Sequence, residues 1–228
     1  MRIQKIINTS LEEIKSKKYN IYIGISLGNK WFSKENLEKY MNWSLEHTKE
    51  KVLFLIADKI QAINYNVRNK SDSANTNLKR AIRRGNEMKL ILEGLKSKLS
   101  KEKQKKVIIL TWQEYEEQSA FYKKYTPIIY SDFEKNKKFR RGILDLVKSL
   151  IKDREFSEEE YLKFSEYFLE EFIDLFSGIK IGKDYYGLYL YPQHSSVFSF
   201  MKKIQEGKLF SELSKKLPKE KVALAIVN

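Results

Sequence analysis

A serine between two glycines stands at the end of the first clear strand pattern in the sequence. Gly24, Ser26 and Gly28 match the G-x-S-x-G pattern, which in serine hydrolases exposes a nucleophilic hydroxyl at a strand-to-helix turn. Those hydrolases place the pattern after several strands, with an acid and a histidine downstream, whereas here it ends the first strand. His47 and His194 are the two histidines of the chain and therefore the candidate bases. Two glycines also suit a plain tight turn, so hydrolase chemistry is one alternative and a turn without chemistry is another.

The position of Ser26 favours a functional role. Ligands of open α/β sheets bind beyond the carboxyl ends of the strands, and the N-terminus of a helix at that place can stabilise an oxyanion. Ser26 ends the alternating segment 19–26 and precedes a helix that is predicted from Ser33 to about His47. Ser26 is therefore a candidate nucleophile.

A second candidate is a carboxylate on the apolar side of a helix predicted over residues 157–177. Large apolar side chains at helical spacing form a stripe there: Tyr161, Phe164, Phe168, Phe172 and Leu175. Glu171 falls inside this stripe, whereas Glu166 and Glu170 are predicted to point away towards solvent. Burying a carboxylate ionised and alone is costly, so Glu171 is paired, has a raised pKa or lies at a pocket. Tyr167 can stand beside it, and the alternatives are a catalytic group and a structural glutamate satisfied by an arginine or a hydroxyl.

The charge of the chain is large and unevenly distributed. There are 44 Lys and Arg against 30 Asp and Glu, a net charge of +14. Residues 77–106 contain 11 basic and 3 acidic residues, and residues 123–141 contain 7 basic and 2 acidic residues. Four cations of the first segment lie opposite the apolar face of a predicted helix: Lys79, Arg80, Arg83 and Arg84. Clustered cations repel one another unless an anion offsets them, so we expect a nucleic-acid backbone as partner rather than a membrane surface or a solvated face.

Several kinds of chemistry lack the residues that they need. The absence of cysteine excludes a disulfide framework, a thiolate nucleophile and a cysteine-type zinc site, and we predict no metal site. The sequence has no phosphate loop, no G-x-G-x-x-G and no HIGH-like or KMSKS-like synthetase signature, so no cofactor is predicted and an enzyme would need an activated substrate. No segment approaches the ~20 apolar residues that cross a bilayer, and none resembles an export signal. We therefore expect a cytoplasmic protein without a membrane partner.

These candidates require a scaffold, and the hydrophobic pattern predicts one. Strands are predicted at 19–26, 51–58, 107–112, 187–191 and 221–227. Helices are predicted at 33–47, 77–99, 113–125, 138–152 and 157–177, and another begins near Ser195. Strands that alternate with helices indicate an α/β fold with a mostly parallel sheet and helices on both faces. The length suits a single domain over residues 1–228.

At this point the sequence resembles a known family, the cyclodipeptide synthases, which make cyclic dipeptides from two aminoacyl-tRNAs. The resemblance rests on short motifs in a fixed order: IGISLGN with Ser26 and Asn29, the basic segment from Lys79 to Arg84, Tyr167 and Glu171 within YFLEE, and the step Tyr191-Pro192. It covers nearly the whole chain. It implies a Rossmann-like domain similar to the catalytic domain of class I tyrosyl- and tryptophanyl-tRNA synthetases, without their ATP-binding signatures.

The resemblance also implies a ping-pong mechanism. Ser26 takes the aminoacyl group of a first aminoacyl-tRNA as an ester, and a second aminoacyl-tRNA then gives a dipeptidyl enzyme that cyclises and releases a diketopiperazine. Tyr167 and Glu171 would hold the aminoacyl ammonium, Glu171 could also move protons, and Tyr191 would help to position the cyclisation. Aminolysis of an ester is already downhill, so the family needs no cofactor.

Two further residues receive roles by the same resemblance. Gly24 would let the backbone approach the substrate, and Asn29 would line the pocket for the second residue. The cations from Lys79 to Arg84 would bind tRNA. Asn29 together with Pro192 combines features of two subgroups of the family, so the sequence does not predict which two amino acids are joined.

Two alternatives remain at the level of the sequence. Tyr189 competes with Tyr191 as the late tyrosine, and Tyr191 is preferred because a proline follows it and it ends an apolar strand. A non-enzymatic tRNA- or RNA-binding module would explain the charge but would leave Ser26 and Glu171 without a role. Nothing in the sequence demands a dimer, so we expect a monomer.

Overall fold

The computed structural model describes residues 1–152, 155–193 and 195–227, and within them one seven-stranded sheet carries helices on both faces. The strands are β1 (Ile3–Ile7), β2 (Asn20–Ile25), β3 (Val52–Ile56), β4 (Val107–Thr111), β5 (Ile179–Ile181), β6 (Asp184–Tyr191) and β7 (Ala223–Val227). The helices are α1 (Leu11–Lys15), α2 (Lys34–His47), α3 (Asp58–Arg68), α4 (Ala74–Ser97), α5 (Lys101–Lys106), α6 (Trp112–Gln118), α7 (Ala120–Lys135), α8 (Lys137–Leu150), α9 (Glu158–Ser177), α10 (Ser196–Gln205) and α11 (Ser211–Lys216). None of these helices is long and apolar enough to span a membrane.

The sheet is mostly parallel, as predicted. Its strand order is β1-β7-β6-β2-β3-β4, and β5 pairs with β6 outside this path. β7, β6, β2, β3 and β4 run parallel, whereas β1 is antiparallel to β7 and β5 is antiparallel to β6. The chain goes from β2 outwards to β3 and β4 and later returns on the other side of β2 to β6 and β7. The order therefore reverses between β2 and β6, where open α/β sheets form a crevice beyond the carboxyl ends of their strands.

The sheet separates two cores because the side chains of a strand alternate between its faces. On β2, Ile21, Ile23 and Ile25 are fully buried against α1, α2 and the second half of α4. Tyr22 lies on the other face, in a larger core that is formed mainly by α3 and α6 to α11. Tyr22, Gly24 and Ser26 therefore lie on the side of β2 that faces α9.

A helical hairpin stands at the carboxyl edge of the sheet. α3 begins two residues after β3, α4 returns beside it, and α3 also packs on α9. Gly85 of α4 lies directly against Asp58 of α3, so closely that a Cβ at residue 85 would overlap the Asp58 side chain. Asp58 in turn accepts a hydrogen bond from the backbone N–H of Trp112 at 2.8 Å. This buried carboxylate joins α3, α4 and the start of α6 in one unit.

The predicted elements are confirmed to within three residues, except that the helix expected at 113–125 is divided and continues to Lys135; β1, α1, α3, α5, β5 and α11 were not predicted. β1 is an edge strand in which only Ile7 is buried, so it lacks the apolar pattern of the inner strands. α3 was not predicted, and the strand expected to reach residue 58 ends at Ile56. The helix expected at 113–125 is divided into α6 and α7 because Ser119 interrupts it: its Oγ accepts from the N–H of Tyr122 at 3.1 Å and donates to the Lys180 carbonyl at 2.8 Å.

Candidate active site

Ser26 follows β2 directly, at the place where the strand order reverses. Its carbonyl accepts a hydrogen bond from the N–H of Asn29 at 3.3 Å, and Gly28 has a φ of +86°, a left-handed conformation that favours glycine. A 3₁₀ turn over Lys30–Phe32 comes next. This sharp turn leaves the Ser26 side chain partly exposed at the carboxyl edge of the sheet.

Tyr167 of α9 lies beside Ser26. Burial raises the pKa of Tyr167 well above its ordinary value of 10, and the charge of Glu171 raises it further, while hydrogen bonding with the Ser26 side chain lowers it. The phenol therefore stays protonated and can donate a hydrogen bond. The sequence predicted Tyr167 and Glu171 as neighbours through their helical spacing, and the structure adds Ser26 to the pair.

Glu171 is a carboxyl group in a mostly apolar setting. Burial raises its pKa from 4.5 to about 7, and a hydrogen bond with Tyr167 opposes this rise only in part. Within the described part of the chain no lysine or arginine forms an ion pair with it, so its protein partner is a hydroxyl group rather than a cation. A carboxyl group with this pKa can exist in both protonation states near neutral pH, which suits a group that moves protons.

The structure separates the two candidate tyrosines of β6. The pKa of Tyr191 is raised by burial and by the charge of Glu171, and hydrogen bonding with the side chains of Ser26 and Asn29 lowers it. Tyr189 is buried one layer deeper, where its ring stacks on Tyr22 at 4.5 Å between centroids and 3° between planes. Tyr191 is therefore the tyrosine that meets Ser26.

Gly24 and Asn29 also lie at this place. A Cβ on Gly24 would stand 2.9 Å from the Tyr189 hydroxyl, so only glycine fits without a shift of that phenol. The Oδ1 atom of Asn29 accepts a hydrogen bond from the N–H of Trp31 at 3.1 Å and caps the 3₁₀ turn. Asn29 thus shapes the loop after β2 as well as contacting Tyr191.

Asp174, which the sequence analysis did not single out, lies on α9 three residues after Glu171. It is 4% exposed, and its Oδ1 accepts a hydrogen bond from the Tyr115 hydroxyl. Its backbone carbonyl accepts a hydrogen bond from the Tyr22 hydroxyl at 2.8 Å. Asp174 is three residues after Glu171, and this helical spacing was the available signal for its burial. The aromatic stripe marked only one buried side of α9, whereas the helix is covered on several sides.

The prediction that Glu170 points to solvent is wrong. Glu170 is only partly exposed, and its carboxylate accepts hydrogen bonds from the hydroxyls of Tyr122 and Tyr130, the latter at 2.6 Å. Both tyrosines belong to α7, which packs along α9. Glu170 therefore joins these two helices on a different side of α9 from Tyr167 and Glu171.

The predicted basic residues lie on the first half of α4, in the hairpin at the carboxyl edge. Lys79, Arg83 and Arg84 are exposed, and Arg80 is partly exposed. Three of the four also have partners within the chain: Arg80 with Asp72 at 2.9 Å, Arg83 with Glu87 at 3.8 Å, and Arg84 with the Tyr65 hydroxyl at 2.9 Å. The surface keeps a strong positive charge at the same edge of the sheet as Ser26.

Of the two histidines the structure describes His47, and its position does not support the hydrolase alternative. His47 ends α2, stacks on Trp43 at 4.1 Å and lies at the amino edge of the sheet, opposite to Ser26. His194 lies outside the described residues. The described residues also contain no group of three His, Asp or Glu side chains that could hold a metal ion.

Comparisons with known proteins agree on one family. A family model described as cyclodipeptide synthase matches residues 6–176 of the chain. A search of curated proteins finds no match. The solved structure of a cyclodipeptide synthase from Bacillus thermoamylovorans is 20% identical and covers 97% of this chain and 94% of that chain, with a TM-score of 0.76. A cyclodipeptide synthase from Staphylococcus haemolyticus is 13% identical and covers 98% and 99%, with a TM-score of 0.71.

A tRNA synthetase shares the fold. The tyrosyl-tRNA synthetase from Archaeoglobus fulgidus is 10% identical and covers 99% of this chain and 60% of that chain, with a TM-score of 0.57. At such identities the likeness concerns the fold alone. The predicted Rossmann-like fold, related to that of class I tRNA synthetases, is confirmed.

Proposed function

This chain belongs to the cyclodipeptide synthase family, and we propose that it joins the aminoacyl groups of two aminoacyl-tRNAs through an ester on Ser26. The observation that carries the proposal is the meeting of Ser26 with the phenols of Tyr167 and Tyr191 beside a carboxyl group, Glu171, whose pKa is about 7. A hydrolase would need a base such as histidine at this place; His47 lies at the opposite edge of the sheet, and His194 lies outside the described residues.

In the first step the Ser26 hydroxyl attacks the ester carbonyl of an aminoacyl-tRNA. A seryl ester forms, the ester bond to tRNA breaks, and the proton of the serine passes to the departing ribose oxygen. Tyr167 and Glu171 hold the ammonium group of the bound residue. Glu171 is buried without a cationic partner among the described residues, and the bound ammonium would stabilise its ionised form.

In the second step the amino group of the Ser26-bound residue attacks the carbonyl of a second aminoacyl-tRNA. The amine must first lose a proton, and Glu171 can accept it because its pKa lies near neutral pH. The product is a dipeptidyl ester on Ser26 and a second free tRNA. The new terminal amine then attacks the seryl ester, which closes the diketopiperazine ring and returns the proton to Ser26, with Tyr191 positioned to assist.

The delivery of the substrates is assigned to the basic half of α4. Phosphate contacts made by Lys and Arg are independent of sequence and position a nucleic acid on a protein. Such a surface suits an enzyme that must accept two different tRNAs at one site. This basic surface lies at the carboxyl edge of the sheet, so an acceptor stem bound there would direct its aminoacylated end towards Ser26.

The test uses purified protein, a mixture of aminoacyl-tRNAs and mass spectrometry of protein and products. We expect a cyclic dipeptide in solution and an aminoacyl ester on Ser26 when the supply of aminoacyl-tRNA is limited. Ser26→Ala should abolish both, while Ser97→Ala, at an exposed site on α4, should change neither. Tight tRNA binding without any product would instead favour the RNA-binding module, and undiminished product from Ser26→Ala would exclude this nucleophile.

A further inference from the structure

A short series of contacts joins the strand of the nucleophile to the basic half of α4. The carbonyl of Ile25, the residue before Ser26, accepts a hydrogen bond from the N–H of Ala57 at 3.0 Å. Asp58 follows as the first residue of α3, and its side chain lies against Gly85 of α4. One hydrogen bond and one contact between helices therefore connect the end of β2 with the surface assigned to tRNA.

The contact between α3 and α4 leaves no room for a further atom. A Cβ at residue 85 would stand 2.3 Å from the Cβ of Asp58, whereas carbon atoms in contact are about 3.5–4.0 Å apart. One turn earlier in α4, Ala81 is fully buried against Ala62 and Tyr65 of α3. The two helices thus approach each other through small side chains. A methyl group added at residue 85 would separate them by about 1 Å or more.

Asp58 has little freedom to move aside. It is 2% exposed, and its Oδ1 accepts a hydrogen bond from the N–H of Trp112 at 2.8 Å. Its carboxyl group is also hydrogen-bonded with the backbone N–H of Lys59 in its own helix. A group added at residue 85 is therefore accommodated by a movement of α4 relative to β2.

The cations of α4 would move together with Gly85. Arg83 and Arg84 precede it directly, and Lys79 and Arg80 lie one to two turns earlier in the same helix. Such a movement removes no cation, so the attraction for phosphate groups is kept. Phosphate contacts fix the position of a nucleic acid on a protein, so the movement changes where the bound tRNA places its ester.

We propose that the contact between Asp58 and Gly85 sets the distance between the basic face of α4 and Ser26, so that a tRNA bound on α4 presents its ester to the nucleophile. This inference rests on the proposed function, because it takes Ser26 to be the acyl carrier and α4 to bind tRNA. Asp58 and Gly85 are positioning residues, since both are buried and act through α4. Attack needs reacting atoms about 3–3.5 Å apart, and a displacement of about 1 Å costs about 10²-fold in rate.

Gly85→Ala provides the first test. Single-turnover loading of Ser26 at saturating aminoacyl-tRNA gives a rate constant and an amplitude, and a separate titration gives the affinity for tRNA. We expect the rate constant to fall about 10²-fold, while the amplitude and the affinity stay close to the wild-type values. A merely structural role would lower the amplitude, because part of the protein would be unfolded, and would leave the rate constant of the folded part unchanged. Gly94→Ala, in open space on the same helix, is the matched control and should change none of the three.

Two double variants test whether the Cβ contact is responsible. Added to Gly85→Ala, Asp58→Gly removes the Cβ that opposes the new methyl group, whereas Asp58→Ala keeps it. Both double variants lose the carboxylate and its hydrogen bond with the N–H of Trp112. We expect the double variant with Asp58→Gly to regain most of the rate constant and the one with Asp58→Ala to remain slow. Equal rate constants in the two would overturn the inference.

A wild-type rate constant in folded Gly85→Ala also overturns the inference and leaves the proposed function intact. Should Gly85→Ala not fold, Asp58→Ala and Asp58→Gly are compared as single variants. The first keeps the Cβ that spaces the helices and should have the higher rate constant, and equal values overturn the inference. Wild-type protein that forms no acyl enzyme contradicts the proposed function itself.

Discussion

The Tyr189 hydroxyl lies 2.9 Å from the point where a Cβ on Gly24 would stand. This phenol on the adjacent strand therefore requires glycine at position 24, two residues before Ser26. Because the Tyr189 ring is stacked on Tyr22, it has little freedom to move aside. The backbone position of Gly24, close to Ser26, therefore depends on how Tyr189 and Tyr22 pack.

Gly24→Ala should therefore reduce product formation. The new methyl group displaces the Tyr189 hydroxyl and narrows the space next to Ser26, and a shift of about 1 Å in such a site can cost about 10²-fold in rate. Steady-state kinetics of product release measures the loss. Gly94→Ala is the control: it lies in open space on α4, should stabilise the protein by about 0.5–1 kcal/mol and should leave the kinetics unchanged.

Glu171→Gln should lower the rate by about 10²-fold or more, because the amide keeps the size of the side chain but can neither pair with the ammonium nor accept a proton. The wild-type rate should rise with pH through the pKa of Glu171, which the bound ammonium moves below its value of about 7 in the free protein. A pH series of single-turnover rates from the aminoacyl enzyme checks both statements. A Gln variant that keeps the wild-type rate would remove Glu171 from the reaction.

Ionisation of Glu171 should raise the reaction rate but lower the stability of the folded protein. Its pKa is about 7 in the folded chain and 4.5 without the protein environment, so the folded protein holds an extra proton between these values. The stability of the wild type should therefore decline as the pH rises from about 4.5 to about 7. Melting temperatures of wild type and Glu171→Gln across this range should diverge in favour of the variant, and a constant difference would contradict the assigned pKa.

Glu170→Gln should destabilise the protein instead. It weakens two hydrogen bonds between phenols of α7 and a charged acceptor on α9, at a cost of about 1–3 kcal/mol. The activity of the remaining folded protein should be retained, since Tyr167 and Glu171 lie on another side of α9. Chemical denaturation measures the change. Glu159→Gln, at an exposed position on the same helix, should remain within about 0.5 kcal/mol of the wild type.

The exposed cations of α4 should govern tRNA affinity without affecting which residues are joined. Each of Lys79→Ala and Arg83→Ala should weaken the binding of all tRNAs alike and lower the slope of log affinity against log salt by about one unit. Arg80→Ala should also cost stability, because Arg80 pairs with Asp72. Lys101→Ala and Lys103→Ala on α5 serve as charge-matched controls, and an equal effect there would remove the special role of α4.

The sequence allowed the prediction of those site residues whose signal is local. Glu171 was selected as a candidate because a carboxylate on an aromatic stripe is unusual, and Ser26 because a strand ends beside it. The partners of Glu170 are 40 and 48 positions away in α7, so no helical periodicity could show that this glutamate is enclosed. Asp174 was missed for the same reason: its burial depends on Tyr22 and Tyr115, which reach it from β2 and α6.

The alternation along β2 divides the strand into two independent surfaces. Ile21, Ile23 and Ile25 pack in one core, while Tyr22 packs in the other core and Gly24 and Ser26 follow it on the same side towards the site. Substitutions on one side of β2 can therefore be made without changing the side chains on the other side. Substitutions at Tyr22 and its stacking partner Tyr189 would change the larger core beneath the site, while the isoleucine core on the other face stays intact.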